Sequence, residues 1–216
     1  KDKLPKDLFD KIIESGIEEF RPAQSKAIEA GLLDGENLLI TTPTASGKTL
    51  IGEMALVKTI MEGRGKGLYV VPLRALASEK FNQFREKYKG LIRIGVSTGD
   101  LDEGGADLSN YDLIFVTSEK VDSLLRHRVS WMPYVKCVVV DEIHLLNDIG
   151  RGPTLEVVLT LLRHIVTDMQ IIGLSATIGN PKELADWLSA KLIEDTWRPV
   201  TLEKGIYYQG NVEFIK

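Results

Sequence analysis

The sequence has little cysteine, little histidine and no long apolar run. Its 216 residues include one cysteine, Cys137, and three histidines. An internal disulfide is therefore impossible, and Cys137, inside the apolar run 135–140, reads as a small buried hydrophobe. No apolar stretch approaches the roughly 18 residues of a membrane span, and the N-terminus lacks the apolar region of a signal peptide. We expect no membrane contact and a reducing, cytoplasmic location.

The sequence also lacks an excess of positive charge. Its 27 Lys and Arg residues are outnumbered by 31 Asp and Glu residues, which gives a formal net charge of −4. This balance argues against a domain that binds nucleic acid through overall charge. Any contact with DNA or RNA must be local, and its affinity should be modest unless another part of a larger protein contributes.

A phosphate-binding loop is predicted at residues 41–49, TTPTASGKT. An apolar run precedes it and a segment with helical apolar spacing follows it, which is the strand, loop and helix context that such loops require. Gly47 lets the backbone approach phosphate, Lys48 supplies an ammonium and Thr49 supplies a hydroxyl for Mg²⁺. Thr42 replaces the first glycine of the general pattern. The residues expected to contact ATP here are Thr44, Ala45, Ser46, Gly47, Lys48 and Thr49.

The rest of the chain alternates between strand and helix patterns. We predict strands at 38–40, 67–71, 92–97, 112–117, 135–141 and 170–175, and helices at 4–15, 22–33, 48–61, 73–88, 118–126, 153–167 and 181–190. Such alternation favours βαβ units and a mostly parallel sheet, with the phosphate loop at the carboxyl end of the first strand. We assign 1–199 to this domain. Residues 200–216, with short extended pieces at 200–202 and 206–215, read as a linker or as the start of the connection to a further domain, and the end of the chain reads as a cut rather than a natural terminus.

Two further motifs follow predicted strands. Asp141 and Glu142, in the sequence DEIH, emerge at the same sheet edge as the phosphate loop. A carboxylate there suits Mg²⁺, and a second one suits the positioning or deprotonation of the attacking water. Ser175 and Thr177, in the sequence SAT, end the next strand, where their hydroxyls could bond His144 or Asp141 and report the nucleotide state.

Taken together, these motifs resemble those of superfamily 2 helicases over nearly the whole chain. The matching segments are 20–24 for the Q-motif region, 43–49 for motif I, 72–76 for Ia, 98–100 for Ib, 117–120 for Ic, 141–144 for II and 175–177 for III. Within the superfamily, the runs PLRALASEK, KVDSLLR, DEIHLLND and RGPTLE most resemble the archaeal Hjm and animal HELQ group of DNA-repair helicases. The run WRPV at 197–200 resembles the exit of that group's first RecA-like domain.

The resemblance implies a three-layer α/β RecA-like domain that forms the ATP-binding half of a DNA helicase in DNA repair or stalled-fork processing. The implied cofactors are ATP and Mg²⁺, the latter held by Thr49 and Asp141. The implied catalytic residues are Lys48, Asp141, Glu142 and His144, and Gln24 would contact adenine. The residues that would couple the nucleotide state to the rest of the motor are Ser175 and Thr177. Arg74, Thr98, Gly99 and Thr117 would touch the sugar-phosphate of single-stranded or forked DNA. A second RecA-like domain of the same monomeric protein would complete the motor.

Alternatives stay open. An RNA helicase of the same branch has motifs that differ little, and a nucleotide-controlled binding module would share the phosphate loop. A P-loop phosphotransferase would not explain DEIH followed by SAT. The sequence also departs from the family pattern, because no aromatic stands where DEAD-box proteins stack adenine, and motifs IV to VI are missing.

Overall fold

The computed structural model describes residues 3–99, 107–200 and 203–215. Seven strands form one sheet in the order β3-β4-β2-β5-β6-β1-β7, and every adjacent pair is parallel. The strands are β1 Leu38–Thr41, β2 Lys66–Val71, β3 Ile94–Ser97, β4 Leu113–Thr117, β5 Val135–Val140, β6 Gln170–Ser175 and β7 Lys191–Glu194. The helices are α1 Lys6–Glu14, α2 Pro22–Glu29, α3 Lys48–Met61, α4 Arg74–Lys87, α5 Ser118–Arg126, α6 Gly152–Ile165 and α7 Pro181–Leu188.

The sheet is the middle of three layers. Successive strand side chains point to opposite faces, so Tyr69 and Phe115 pack with α3 and α4 on one side, whereas Val70 and Val116 pack with α5 and α6 on the other. Because both faces are covered, the central strands are buried along nearly their whole length. This explains their near-continuous apolar sequences. The predicted three-layer α/β fold with a parallel sheet is confirmed.

The strand order gathers the predicted motifs at one edge. Strand β6 lies between β1 and β5, with Thr41 opposite Ser175 and Val140 opposite Gly173. The segments that leave the carboxyl ends of these strands are the phosphate loop, the DEIH motif and the SAT motif. A shared edge at the carboxyl ends is where open α/β sheets bind ligands.

Two features at the C-terminal side were not predicted. Strand β7 pairs with β1 at the sheet edge and buries only Ile193, so its sequence carries little strand pattern. Residues assigned to a linker form a hairpin of β8 Lys204–Tyr208 and β9 Asn211–Ile215, with Tyr207 and Phe214 exposed. The acidic stretch 100–107, expected to be a mobile solvated loop, lies outside the described residues except at its last position. None of the helices in the described ranges has the length and hydrophobicity of a membrane span.

Candidate functional site

The phosphate loop joins β1 to α3 and turns at Gly47, whose φ of +90° lies in the left-handed region. The Lys48 ammonium points into the loop and donates to the carbonyls of Thr42 at 2.8 Å and Pro43 at 3.1 Å. The hydroxyls of Thr42 and Ser46 are 2.7 Å apart. Burial lowers the pKa of Lys48, and the carboxylates of Glu142 and Asp141 oppose that fall. Thr44 and Ala45 are exposed at the loop's tip. The loop therefore presents one half-buried ammonium beside two carboxylates.

The segment before α2 holds this loop from the side. Gln24 is buried, and its side-chain oxygen accepts from the Arg21 backbone N–H at 2.9 Å while its amide donates to the Gly47 carbonyl at 3.0 Å. The Arg21 guanidinium donates to the Ala45 carbonyl at 2.7 Å and lies 5.3 Å from the centre of a Trp197 ring. A β-carbon at position 47 would approach the Gln24 amide nitrogen to 2.5 Å and displace that side chain, and the φ of +90° itself favours glycine. Sequence reasoning selected Gln24 for adenine and missed this clamp.

A cavity of about 380 Å³ opens on the same side of the loop. Its lining includes residues 16–19, Gln24, Gly47, Thr49 and Glu53. Each of the two Gln24 amide atoms makes one protein bond, which leaves one N–H and one acceptor lone pair for a ligand. Gln24 therefore keeps hydrogen-bonding capacity at the wall of this cavity although it is largely buried, and its contact with a nucleotide base stays a prediction.

The two carboxylates of the DEIH motif are held in different ways. The Tyr69 hydroxyl donates to Asp141 Oδ2 at 3.0 Å, and the Glu142 backbone N–H donates to Oδ1 at 3.1 Å. Burial raises the pKa of Tyr69 well above its usual value, and Asp141 raises it further, so the phenol stays a donor. Glu142 has a φ of +51°, and its Oε2 lies 3.3 Å from His144 Nδ1. Asp141 is thus oriented from two sides, and Glu142 turns toward His144.

One lysine that sequence reasoning missed lies between the two predicted magnesium ligands. Lys80 Nζ donates to Thr49 Oγ1 at 2.9 Å and lies 3.8 Å from Asp141 Oδ2. A hydroxyl and a carboxylate that face the same cation are the oxygen donors that Mg²⁺ uses in nucleotide sites. The residues present therefore fit a magnesium ion.

Only one of the two hydroxyl residues of the SAT motif contacts the site. Ser175 Oγ lies 3.5 Å from His144 Nδ1 and donates to the Ala176 carbonyl at 2.7 Å. Thr177 is exposed two residues further along. A chain of contacts thus runs from Glu142 through His144 to Ser175, whereas Thr177 lies outside it.

The four residues predicted to touch nucleic acid line one groove of about 390 Å³. Arg74 begins α4, Thr98 and Gly99 follow β3, and the Thr117 hydroxyl caps α5 by accepting from the Lys120 N–H at 3.4 Å. The Lys120 ammonium donates to the Gly99 carbonyl at 3.1 Å. Lys120 and Arg151 also line the groove, and sequence reasoning missed both. Glu119 also lines the groove, and Arg151 pairs with Asp148 at 3.1 Å, so the groove has a small local excess of positive charge on a chain that is acidic overall.

Comparison with known families decides the relationship. The family model of DEAD/DEAH box helicases matches residues 21–184, which is more than half of the chain. The chain belongs to the DEAD/DEAH box helicase family. This range contains the phosphate loop, the carboxylates and the groove of the DEAD/DEAH box domain.

Individual proteins resemble this DEAD/DEAH box domain closely. It is 57% identical to the ATP-dependent DNA helicase Hel308 of Methanocaldococcus jannaschii over 96% of this chain and 18% of that protein. It is 54% identical to the Hel308 of Methanococcus vannielii over 94% of this chain and 27% of that protein. Its fold matches the helicase Lhr of Mycobacterium smegmatis, solved with ssDNA and AMP-PNP, at a TM-score of 0.76 and 28% identity over 88% and 28% of the two chains.

These comparisons confirm the predicted superfamily 2 helicase relationship, its archaeal relatives and the RecA-like fold. The chain spans only about a fifth to a quarter of the length of these curated relatives.

Proposed function

We propose that this chain is the ATP-binding half of a DNA-dependent ATPase motor that acts in DNA repair or stalled-fork processing. The observation that carries the proposal is a shared edge. The phosphate loop, the carboxylates at 141–142 and the residues of the groove all follow the carboxyl ends of strands in one parallel sheet. A motor needs its nucleotide site and its strand contacts on one rigid body, because closure on ATP must change the grip on the strand.

The ATP site would work through charge and position. Lys48, the loop's backbone N–H groups and the N-terminus of α3 would bind the β- and γ-phosphates. Thr49 and Asp141 would hold Mg²⁺, which supplies positive charge against the β- and γ-oxygens when bound. Glu142 would position and deprotonate the attacking water, as its place beside Asp141 suggests. His144 would relay the state of Glu142 to Ser175. Support for ATP as the nucleotide comes from the Hel308 relatives, which are named ATP-dependent DNA helicases.

The groove would hold one DNA strand by its backbone. Its hydroxyl, backbone and guanidinium groups suit phosphate and sugar and read no sequence. The relatives are named DNA helicases, and the Lhr structure carries single-stranded DNA. An RNA strand offers the same phosphates, so an RNA helicase is the second candidate. The two are separated by measuring whether DNA or RNA of equal length stimulates ATP turnover.

The proposed site covers one side of the triphosphate. An arginine from a second RecA-like domain of the full-length protein would cover the other. In comparable phosphoryl-transfer sites such an arginine contributes on the order of 10³ to 10⁵ in rate. We therefore expect the purified 216-residue chain to bind Mg-ATP but to turn it over barely detectably, and to unwind nothing.

The test measures turnover with single-stranded DNA for the 216-residue chain and for the full-length protein. Glu142→Gln in the full-length protein should retain ATP and lose turnover, whereas Lys48→Ala should lose ATP itself. Rapid DNA-stimulated hydrolysis by the shorter chain would refute the two-domain account. It would direct attention to Arg151, which lines both the groove and a small cavity beside Glu142. Tight binding with no turnover by the full-length protein would instead indicate a nucleotide-controlled binding module.

A further inference from the structure

The Lys80 ammonium lies where two oxygens predicted to bind magnesium converge. We infer that Lys80 is a resident counter-ion of the magnesium position, which holds Thr49 and Asp141 in the absence of metal and withdraws when Mg²⁺ enters with a nucleotide. The inference rests on the proposed function, because it concerns the metal of the same ATP site. It assigns a positioning role to a residue outside the phosphate loop and the DEIH motif.

The geometry gives Lys80 two partners in the site and a third contact beside it. Its Nζ is 2.9 Å from Thr49 Oγ1, 3.8 Å from Asp141 Oδ2 and 5.8 Å from the centre of the Tyr69 ring. The Tyr69 hydroxyl in turn donates to Asp141 Oδ2. The side chains of Lys80 and Asp141 are only 17% and 14% exposed. This ammonium is therefore largely buried beside the predicted magnesium ligands and is not an exposed surface charge.

Charge balance explains why a cation is held there. A buried carboxylate without a partner is strongly destabilising. Among the described residues, Asp141 receives hydrogen bonds from the neutral Tyr69 hydroxyl and the Glu142 N–H, and the Lys48 ammonium acts on it through space. Lys80 adds a cation within ion-pair distance of Asp141. A divalent ion held by the same oxygens would repel the ammonium. A lysine can leave, because its charge sits at the end of a flexible four-carbon stem.

Withdrawal makes a specific prediction for metal dependence. Without magnesium, Lys80 contributes one positive charge near the phosphates, so its removal should weaken ATP binding. With magnesium, Lys80 has withdrawn, so its removal should leave ATP binding unchanged or slightly tighter. The ratio of the ATP dissociation constant in excess EDTA to that in excess Mg²⁺ should therefore rise about two- to fivefold in Lys80→Gln, the range of one partly screened charge pair.

The variants separate charge from packing. Lys80→Gln keeps a donor for Thr49 and loses only the charge, whereas Lys80→Arg keeps the charge and should restore the parent's affinity in EDTA. Lys136→Gln, at the amino end of β5 and so at the sheet edge opposite the site, removes one positive charge away from the site and should leave the ratio unchanged. Melting curves check that each variant is folded, and Lys80→Met repeats the measurement if Lys80→Gln is not.

The readout is ATP affinity by calorimetry in EDTA and along a magnesium titration, so it does not depend on turnover. A raised ratio in Lys80→Gln with parental values in Lys80→Arg and Lys136→Gln supports the inference. An unchanged ratio in Lys80→Gln, with normal Mg-ATP binding by the parent, overturns the inference and leaves the proposed function intact. Failure of the parent itself to bind Mg-ATP overturns both.

Discussion

Gln24 makes two bonds to the protein and has two hydrogen-bonding positions left, so Gln24→Glu tests both of its roles at once. The carboxylate keeps the acceptor for the Arg21 N–H but loses both amide hydrogens. One of these donates to the Gly47 carbonyl, and the other is the donor proposed for adenine. The substitution thus removes the loop clamp and the base contact together without changing the size of the side chain.

The expected magnitudes follow from the bonds lost. The Gly47 carbonyl loses a donor and faces a carboxylate oxygen at a buried position, which should lower the free energy of unfolding by about 1–3 kcal/mol. Displacement of the phosphate loop should weaken the binding of every nucleoside triphosphate by a common factor. Loss of the Gln24 amide hydrogen proposed to face adenine should weaken ATP binding by a further factor of about five, equivalent to about 1 kcal/mol.

The assay compares ATP with GTP. Dissociation constants for both are measured in excess Mg²⁺ with the parent and Gln24→Glu, and urea unfolding gives the stability change. The loss common to both nucleotides reports the clamp, and the additional loss for ATP reports the adenine contact. Equal losses for ATP and GTP would refute the adenine contact. An unchanged GTP affinity would refute the clamp.

The groove, a buried tyrosine and the cysteine give three further expected results. Arg74→Ala should weaken binding to single strands of any sequence alike and lower the salt slope by about one unit or less; a loss confined to some sequences in strand titrations would contradict backbone recognition. Tyr88→Phe removes the hydroxyl that donates to buried Glu53 and should lower the free energy of unfolding, measured in urea, by about 1.5–3 kcal/mol. This effect should disappear when Glu53 has first been replaced by Gln. Burial raises the pKa of Cys137 to about 12, so alkylation should require unfolding, and rapid labelling of the folded protein would contradict this burial.

The sheet was predictable because its central strands carry strong patterns. Strands β4, β5 and β6 are apolar along nearly their whole length and are bounded by turn or helix signals, so their positions agree with the sequence to within one residue. Strand β7 has one buried residue and follows a helix directly, so only pairing with β1 identifies it. Edge strands of this kind are stabilised by the sheet and not by their own sequence.

The residues of the candidate site likewise fall into those that the sequence predicted and those that it did not. Apart from Gln24, which lies on α2, the residues predicted from a motif lie at a strand end or in the loop or helix start that follows one, where the backbone largely decides which edge they reach. The residues that were missed, among them Arg21, Lys80 and Lys120, have long charged side chains attached to helices or their caps. Each reaches its partner across at least 21 residues of sequence.

Long cationic side chains of this kind could serve many surface roles, because their rotamers place the charge several ångströms from the backbone in different directions. Lys80 is the clearest case. On sequence alone it is one of several charges on α4, a helix with only Ala77 and Phe84 buried. What distinguishes it is that β1 and β5 are separated by a single strand, which brings Thr49 and Asp141 close enough for one ammonium to face both. That coincidence is a property of strand order, and no local pattern encodes strand order.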